Sequence, residues 1–363
     1  MITLSKGNIL ATDAEVLVNT VNCEGYMGKG IALQFKKAFP ENFKAYERAC
    51  RAGEVKPGSM FVFATGSMIN PRYIINFPTK RKWREKSRIV DIKSGLHALA
   101  EEVHRLNVSS IAVPPLGCGL GGLKWGTVKP LIEGAFAELS EIQVLLFEPT
   151  GTPEAKAMPI GTKRPKLTLA RALIIRLMQL YLAIAHRMTL LEIQKLAYFL
   201  QESGEPLQLK YVAHVYGPYA HNLNKVLETL EGHFIRGYGD SQRPNVEIEL
   251  LPGAKDEADR FLNENRDSAE RLERIAELID RFETPYGMEL LSSVHWVAVH
   301  ETPQARDAEE AVGAILSWSE RKRGMFRAEH IRIAWDRLNE QGWRRRKGTY
   351  SSIASSKIRN GDL

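Results

Sequence analysis

The chain has 363 residues, a formal charge of +7 and the apolar content of an ordinary globular protein. That length suits two domains with a core each, and no apolar run is long enough to span a membrane, so no membrane partner is expected. The charge is too mild to name a partner, and the three cysteines (Cys23, Cys50 and Cys118) are an odd number without metal-ligand spacing, which fits reduced thiols in a cytoplasm. Met1-Ile2-Thr3-Leu4-Ser5-Lys6-Gly7 lacks the basic start and apolar centre of a signal peptide.

Over residues 1–150, short runs rich in Val, Ile and Phe alternate with helical periodicity. Strands are predicted at Ile2–Leu4, Val16–Val21, Met60–Ala64, Tyr73–Asn76, Ile111–Val113 and Val144–Phe147. Ile92, Leu96, Leu99, Val103 and Leu106 form an amphipathic stripe, and Gly30–Ala38, Asn42–Arg51 and Thr127–Leu139 read as further helices. Strands interleaved with helices imply a sheet covered on both faces. Pro149 to Pro165 has linker composition, so residues 151–166 are expected to connect two domains.

Residues 167–342 read as a mostly helical domain. A long helix is expected over Leu167–Ala185, and Thr189-Leu190-Leu191-Glu192 has the form of a capping box that starts a helix through Leu200. Tyr216-Gly217-Pro218-Tyr219 reads as a turn before the helix Ala220–Leu230, and Phe234–Tyr238 with Val246–Leu250 as a small hairpin. Helices over Asp256–Phe282, Gly287–His300, Ala308–Ser317 and Ala328–Glu340 complete the domain. The basic, then Ser-rich stretch 343–363 is expected to be a disordered tail.

The most informative stretch is Gly117-Cys118-Gly119-Leu120-Gly121-Gly122, directly after the predicted strand Ile111–Val113. A glycine-dense loop at a strand end lets backbone N–H groups approach a phosphate. A second such loop lies at Gly25-Tyr26-Met27-Gly28-Lys29-Gly30-Ile31-Ala32. Two loops of this kind suit the diphosphate of a nucleotide. No His, Cys or Asp cluster has metal-ligand spacing, so neither a metal nor a cofactor is implied.

Taken in order, Lys6-Gly7-Asn8-Ile9-Leu10, the strand Val16–Val21 ending in Asn22, and the two glycine loops resemble the macrodomain family. Met27–Ala32, Pro78-Thr79-Lys80 and Gly117–Leu120 with Leu123 and Trp125 make the resemblance closer to terminal ADP-ribose glycohydrolases and DNA ADP-ribosyl glycohydrolase antitoxins. The resemblance implies an α/β three-layer macrodomain, a mixed sheet between helices, over residues 1–150, followed by a mostly α-helical toxin-binding domain. It further implies hydrolysis of the bond between ADP-ribose and thymidine in single-stranded DNA. The implied partners are ADP-ribose, ADP-ribosylated single-stranded DNA and the cognate DNA ADP-ribosyltransferase toxin.

Residue by residue, the resemblance sets Asn8 and Ile9 at the adenine, Asn22 at the distal ribose, and Gly28, Gly30 and Ile31 on the first phosphate loop. Gly117, Cys118, Gly119, Leu120, Gly121 and Gly122 would form the second, with the N–H groups of Gly119 to Gly122 on the diphosphate. Plain turn roles for Asn8, Asn22 and the glycines are the competing reading. Cys118 reads as a packing residue without a local histidine partner. Lys80, after the stiff Phe77-Pro78 pair, corresponds to the family's catalytic lysine, and Asn22 would assist it. An amine sheltered from water loses part of its preference for charge and so serves as base or nucleophile.

Lys80 also opens a run with six cations in nine residues, Lys80 to Arg88. Lys82, Trp83 and Arg84 in that run suit a phosphate backbone and one stacked base, against the alternative of a solvated basic loop. One departure stands out. Protein-directed glycohydrolases of the family carry an aspartate where this chain has Gly121. A non-catalytic ADP-ribose-binding module and a glycohydrolase of ADP-ribosylated protein are therefore carried as alternatives. So is a dinucleotide oxidoreductase, because Gly117-x-Gly119-x-x-Gly122 matches that fingerprint and Glu148 ends the next strand, although only one strand remains to complete the unit. The mixed charge of the helical half does not favour a transcriptional regulator. His295, His300 and His330 each fall on a predicted helix, where surface or satisfied core positions are the ordinary reading.

Overall fold

The structure is a computed structural model that describes residues 1–149, 158–239, 247–263 and 265–344. It divides into two compact units, Met1–Arg164 with Arg236–Val246, and Pro165–Ile235 with Glu247–Leu363. Among the described residues, 236–239 thus group with the first unit although they lie inside the span 167–342 that the sequence reads as one helical domain.

The first unit holds the strands β1 (Ile2–Ser5), β2 (Val16–Val21), β3 (Phe61–Ala64), β4 (Tyr73–Pro78), β5 (Ser110–Val113) and β6 (Gln143–Phe147). The helices between them are α1 (Gly30–Ala38), α2 (Pro40–Arg51), α3 (Ile89–Leu106) and α4 (Trp125–Ala135). All six strands lie where the sequence predicts them. The sheet order is β1-β6-β5-β2-β4-β3, parallel throughout except for the antiparallel edge strand β3. Phe77 and Pro78, beyond the predicted strand end at Asn76, are the last residues of β4, because their partners Thr20 and Val21 extend the parallel ladder that far.

Strand alternation sorts the apolar side chains into two layers. Val16, Val18, Ile75, Phe77, Ile111 and Val113 face the stripe Ile92, Leu96, Leu99 and Val103 of α3 and Val128 and Ile132 of α4. Leu17, Ile74 and Ala112 face the other way, onto Ile9, Leu10 and Phe35. The result is the expected mixed sheet between helices. Three buried asparagines tie the layers together: Asn19 donates to Asn76 at 2.9 Å, and Asn76 donates to Asn42 of α2 at 2.7 Å.

Residues 158–164 of the expected linker belong to the first unit, where Met158 packs against the Ile9–Phe35 layer and Gly161 N–H donates to the Lys37 carbonyl at 2.8 Å. Residues 151–157 lie outside the described residues.

The second unit is mostly helical: α5 (Leu169–Leu182), α6 (Leu190–Glu202), α7 (Leu223–Leu230), α8 (Ala254–Leu262), α9 (Arg266–Ile279), α10 (Pro285–Val299), α11 (Ala308–Trp318), α12 (Glu320–Met325) and α13 (Ala328–Glu340). The capping box of Thr189 and Glu192 starts α6 as expected. The single helix expected over Asp256–Phe282 is broken near Asn263 and Asn265, whose side chains favour helix ends. The short strands β9 (Ile235–Arg236) and β10 (Glu249–Leu250) pair within the region expected to form a hairpin.

Where the sequence predicts a turn over Tyr216–Tyr219 and a helix from Ala220, Gly217–Ala220 is a strand, β8, paired antiparallel with β7 (Tyr211–His214), and the helix begins at Leu223. The reason is a clamp from α6. Gln194 exchanges two hydrogen bonds with the backbone of Ala220, at 3.1 and 3.0 Å, and Lys195 Nζ donates to the Pro218 carbonyl at 2.7 Å. Gly217 sits at φ +85 with Ser293 Oγ 2.7 Å from where a Cβ would stand, so a side chain is excluded twice over. Trp343, assigned by the sequence to the tail, is buried with its ring against Phe199 and His295; residues 345–363 lie outside the described residues.

Candidate active site

Five strands run parallel, so β1, β2, β4, β5 and β6 end on one edge of the sheet. In open sheets of this kind ligands bind outside the carboxyl ends of the strands. The segments that follow β1, β2, β4 and β5 carry Asn8, the first glycine loop, Lys80 with its basic run, and the second glycine loop. The topology therefore gathers onto one edge four segments that are far apart in sequence. The two glycine loops adjoin, since a Leu120 methyl lies 3.8 Å from where a Gly30 Cβ would stand.

The first loop runs into α1, whose N-terminus has no side-chain cap. Uncapped N–H groups at a helix start attract anions. Gly30 takes φ +59 there, and its own N–H donates to the Gly239 carbonyl at 2.9 Å. Lys29 lies 5.5 Å from the Tyr238 ring centroid.

Asn22 shapes this loop. Its side-chain carbonyl accepts from Glu24 N–H at 2.9 Å, Tyr26 N–H at 3.3 Å and the Tyr46 hydroxyl at 3.3 Å, while its amide donates to the Tyr26 carbonyl at 2.6 Å. The Tyr46 hydroxyl also donates to the Asn22 backbone carbonyl at 2.6 Å. With its carbonyl committed, Asn22 retains one amide N–H for a ligand. Asn8 is likewise a local cap: its side chain accepts from Leu10 N–H at 3.0 Å at the start of the turn Ile9–Ala11.

In the second loop, Cys118, Gly122 and Leu123 spend their N–H groups on the carbonyls of Pro115, Gly119 and Gly117. Gly122 N–H is therefore not free for a diphosphate as expected. Among the described residues, the N–H groups of Gly119, Leu120 and Gly121 donate to no protein acceptor. Three consecutive open donors form a ready anion nest. Gly117, at φ +70, would place a Cβ 2.9 Å from Leu123 and 3.0 Å from Ser87. At Gly121 a Cβ would overlap both Ser87 Oγ and the Gly117 carbonyl oxygen. No aspartate fits at position 121 in this loop. The Cys118 thiol is pushed up to about 11 by burial, which keeps it a packing thiol.

Lys80 is held where β2 and β4 end. Its N–H and that of Thr79 both donate to the Val21 carbonyl, at 3.3 and 2.9 Å, and its carbonyl accepts from Cys23 Sγ at 3.4 Å. The backbone of Lys80 is thereby fixed alongside Asn22. Its side chain is half-buried, and burial, followed by the charge of Lys86, lowers its pKa from the ordinary lysine value.

The rest of the basic run is open. Trp83 is 45% exposed, Arg84 stacks on its ring at 4.5 Å, and Tyr26, 52% exposed, lies 6.2 Å from it. Glu24 accepts from Trp83 N–H at 2.8 Å and so fastens this aromatic platform to the first loop. Lys82 is exposed beside it. Arg81 is committed elsewhere, to Asp91 at 2.9 Å. The sequence gives no role to Lys86 and Ser87; only the structure brings them to the second glycine loop.

In the second unit, Glu202, His295 and His300 each bring one ligand atom within 4.8 Å of the others. Both His295 nitrogens are taken, by the Tyr198 hydroxyl at 2.7 Å and the Trp343 carbonyl at 3.0 Å, so the cluster is a structural network. His330 accepts or donates to Tyr286 in the same manner at 2.7 Å. No helix among the described residues is long and apolar enough to cross a membrane.

Residues 18–132 match the Macro domain family, which defines the class of the first unit. The macrodomain of Mycobacterium tuberculosis DarG, a solved structure, is 51% identical with a TM-score of 0.41, covering 41% of this chain and 99% of that one. The DNA ADP-ribosyl glycohydrolase of Thermus aquaticus is 46% identical over 344 residues, 94% of each chain. A DNA ADP-ribosyl transferase-DNA ADP-ribosyl glycohydrolase fusion protein of Thermosipho africanus is 32% identical over 183 residues, 46% of each chain. The chain belongs to the DNA ADP-ribosyl glycohydrolase family, a family of hydrolases.

Proposed function

We propose that this chain removes ADP-ribose from thymidine in single-stranded DNA, as the antitoxin of a DNA ADP-ribosyltransferase toxin in a reducing cytoplasm. The observation that carries the chemistry is Lys80: a half-buried amine with a lowered pKa, on a backbone fixed at the same sheet edge that carries a nest of open N–H groups. The likeness to a DNA ADP-ribosyl glycohydrolase over 94% of both chains supports the substrate class. The fusion of transferase and glycohydrolase in one relative supports the toxin as partner of the second unit. The three free cysteines suit the compartment.

In this reading the diphosphate rests on the N–H groups of Gly119, Leu120 and Gly121 and on the start of α1 at Ile31, the Gly30 N–H being spent on the Gly239 carbonyl. Adenine lies toward Asn8 and Ile9, and the distal ribose toward Asn22 and Lys80. Neutral Lys80 attacks the anomeric carbon, and the carbon–nitrogen bond to the base breaks. The departing base nitrogen takes the proton that the attacking amine gives up. Water then displaces the lysine and releases ADP-ribose, so the reaction needs water and no cofactor. Positioning and fixed donors supply much of the rate. Lys82, Trp83 and Arg84, with Tyr26, receive the DNA strand.

The test is full-length Lys80→Ala, assayed on ADP-ribosylated thymidine DNA and on protein ADP-ribosylated at glutamate. Cleavage of the DNA substrate should fall at least about a thousandfold while ADP-ribose still binds. Undiminished turnover rejects Lys80, and faster release from protein than from DNA by the unaltered chain rejects the substrate.

A further inference from the structure

The segment after Lys80 is stapled to the second glycine loop. Ser87 N–H donates to the Gly121 carbonyl at 3.0 Å, and the Ser87 side chain, 7% exposed, fills the space that a side chain at Gly121 would need. The staple sets the preceding residue, Lys86, flat across Gly122. Lys86 Nζ, Cδ and Cε lie 3.2, 3.3 and 3.6 Å from where a Gly122 Cβ would stand. Glycine at 122, at φ +75, is what leaves that slot open. The ammonium consequently lies against Gly122, the residue directly after the three open N–H groups of Gly119, Leu120 and Gly121. Among the described residues Lys86 has no carboxylate partner.

We propose that Lys86 is a second functional lysine of this site, a binding residue whose ammonium joins the Gly119–Gly121 nest to hold the diphosphate of the ADP-ribosyl group. The inference rests on the reading that the nest takes the diphosphate. Two cations without a carboxylate between them repel each other, and an anion seated beside them turns that repulsion into attraction. Where the family resemblance led to the expectation of an aspartate, at position 121, this chain has glycine, a serine staple and a neighbouring cation. The titratable and charged groups near Lys80 are Lys86 on its own segment, Cys23 after β2, whose thiol donates to the Lys80 carbonyl, and Arg81 next in the chain, which is paired with Asp91 of α3. Burial lowers the Lys80 pKa most, and among these groups the charge of Lys86 lowers it further.

The experiment uses the full chain, with Lys86→Gln and Lys86→Arg. Lys86 is exposed, so neither change threatens folding. Lys86→Gln should weaken ADP-ribose about tenfold by titration calorimetry, in keeping with one lost charge-assisted contact. Lys86→Arg should restore most of that loss, and adenosine, which has no diphosphate, should bind both variants as it binds the unaltered chain. In cleavage assays the rising limb of the pH profile should move to higher pH in Lys86→Gln, because Lys80 loses the neighbour that favours its neutral form. Unchanged ADP-ribose affinity in Lys86→Gln overturns the proposal, as does an equal loss for adenosine. If the unaltered chain itself fails to bind ADP-ribose, the diphosphate reading falls, and the role of Lys86 with it.

Discussion

Lys80 and Lys195 are both lysines sheltered from water, one in each unit, and burial lowers the pKa of both, that of Lys195 to about 7. Their surroundings differ in one respect. The Lys195 ammonium is spent on the Pro218 carbonyl at 2.7 Å, with Ser293 and Gly217 closed around it. Lys80 is fixed only through its backbone, and its amine is left with a like charge for company. A perturbed pKa marks a buried group; in the proposed function, what sets Lys80 apart from Lys195 is that its donors are not already used. The same contrast runs through the polar backbone. The clamp of Gln194 satisfies β8 internally, whereas the second glycine loop keeps three N–H groups open.

The largest effect that tests this contrast is the Lys80→Ala rate loss, about 4 kcal/mol of transition-state stabilisation for a thousandfold change, with little change in stability. Lys195→Ala should behave in the opposite way. It empties a fully buried space and orphans a buried carbonyl, at a cost of roughly 3 kcal/mol in unfolding free energy. ADP-ribose affinity should be unmoved. Chemical denaturation followed by calorimetry on the same sample measures both, and a Lys195→Ala chain that is fully stable would break the comparison.

Gly121→Asp comes next. Installing the acid found in protein-directed relatives drives a side chain into Ser87 and into the Gly117 carbonyl. Backbone cannot swing aside as a side chain can, so the loop must open and the nest must lose its shape. ADP-ribose binding should weaken about tenfold or more, with a cost of roughly 1–3 kcal/mol in stability from overpacking. A variant that binds as before and gains activity on ADP-ribosylated glutamate would mean that the missing acid was merely absent rather than sterically excluded.

Most of the fold was legible because its signals are local. Strands of alternating Val and Ile, the stripe Ile92–Leu106 and the Thr189–Glu192 capping box each carry their own period or cap. Gly217-Pro218 was misread because the dipeptide has turn chemistry, and the clamp that makes it a strand comes from α6. The site was half legible for a similar reason. Glycine loops and a lysine after a strand are visible in one dimension. The use of Asn22 and Asn8 as local caps is not, since an asparagine side chain serves a turn or a ligand with the same atoms. The fit of Ser87 against Gly121, which places Lys86, depends on two segments meeting only in space.

The smallest expected effect lies at the aromatic platform, where the proposed function has the first unit meet a DNA strand. Trp83 is exposed, carries Arg84 on its face and stands near Tyr26, so Trp83→Ala should leave stability within about 0.5 kcal/mol. One lost stacking surface is worth about 1 kcal/mol or somewhat more, which corresponds to a roughly fivefold rise in KM on ADP-ribosylated single-stranded DNA. Free ADP-ribose does not reach the platform in this reading, and its affinity should stay constant. The measurement is a pair of titrations, one with each ligand, at two salt concentrations. Because Lys82 and Arg84 bring charge to the same strand, the affinity for DNA should also fall with salt more steeply than that for ADP-ribose. Equal losses for both ligands in Trp83→Ala would mean that the tryptophan supports the pocket itself, and the division between a pocket for the sugar nucleotide and a platform for the strand would fail.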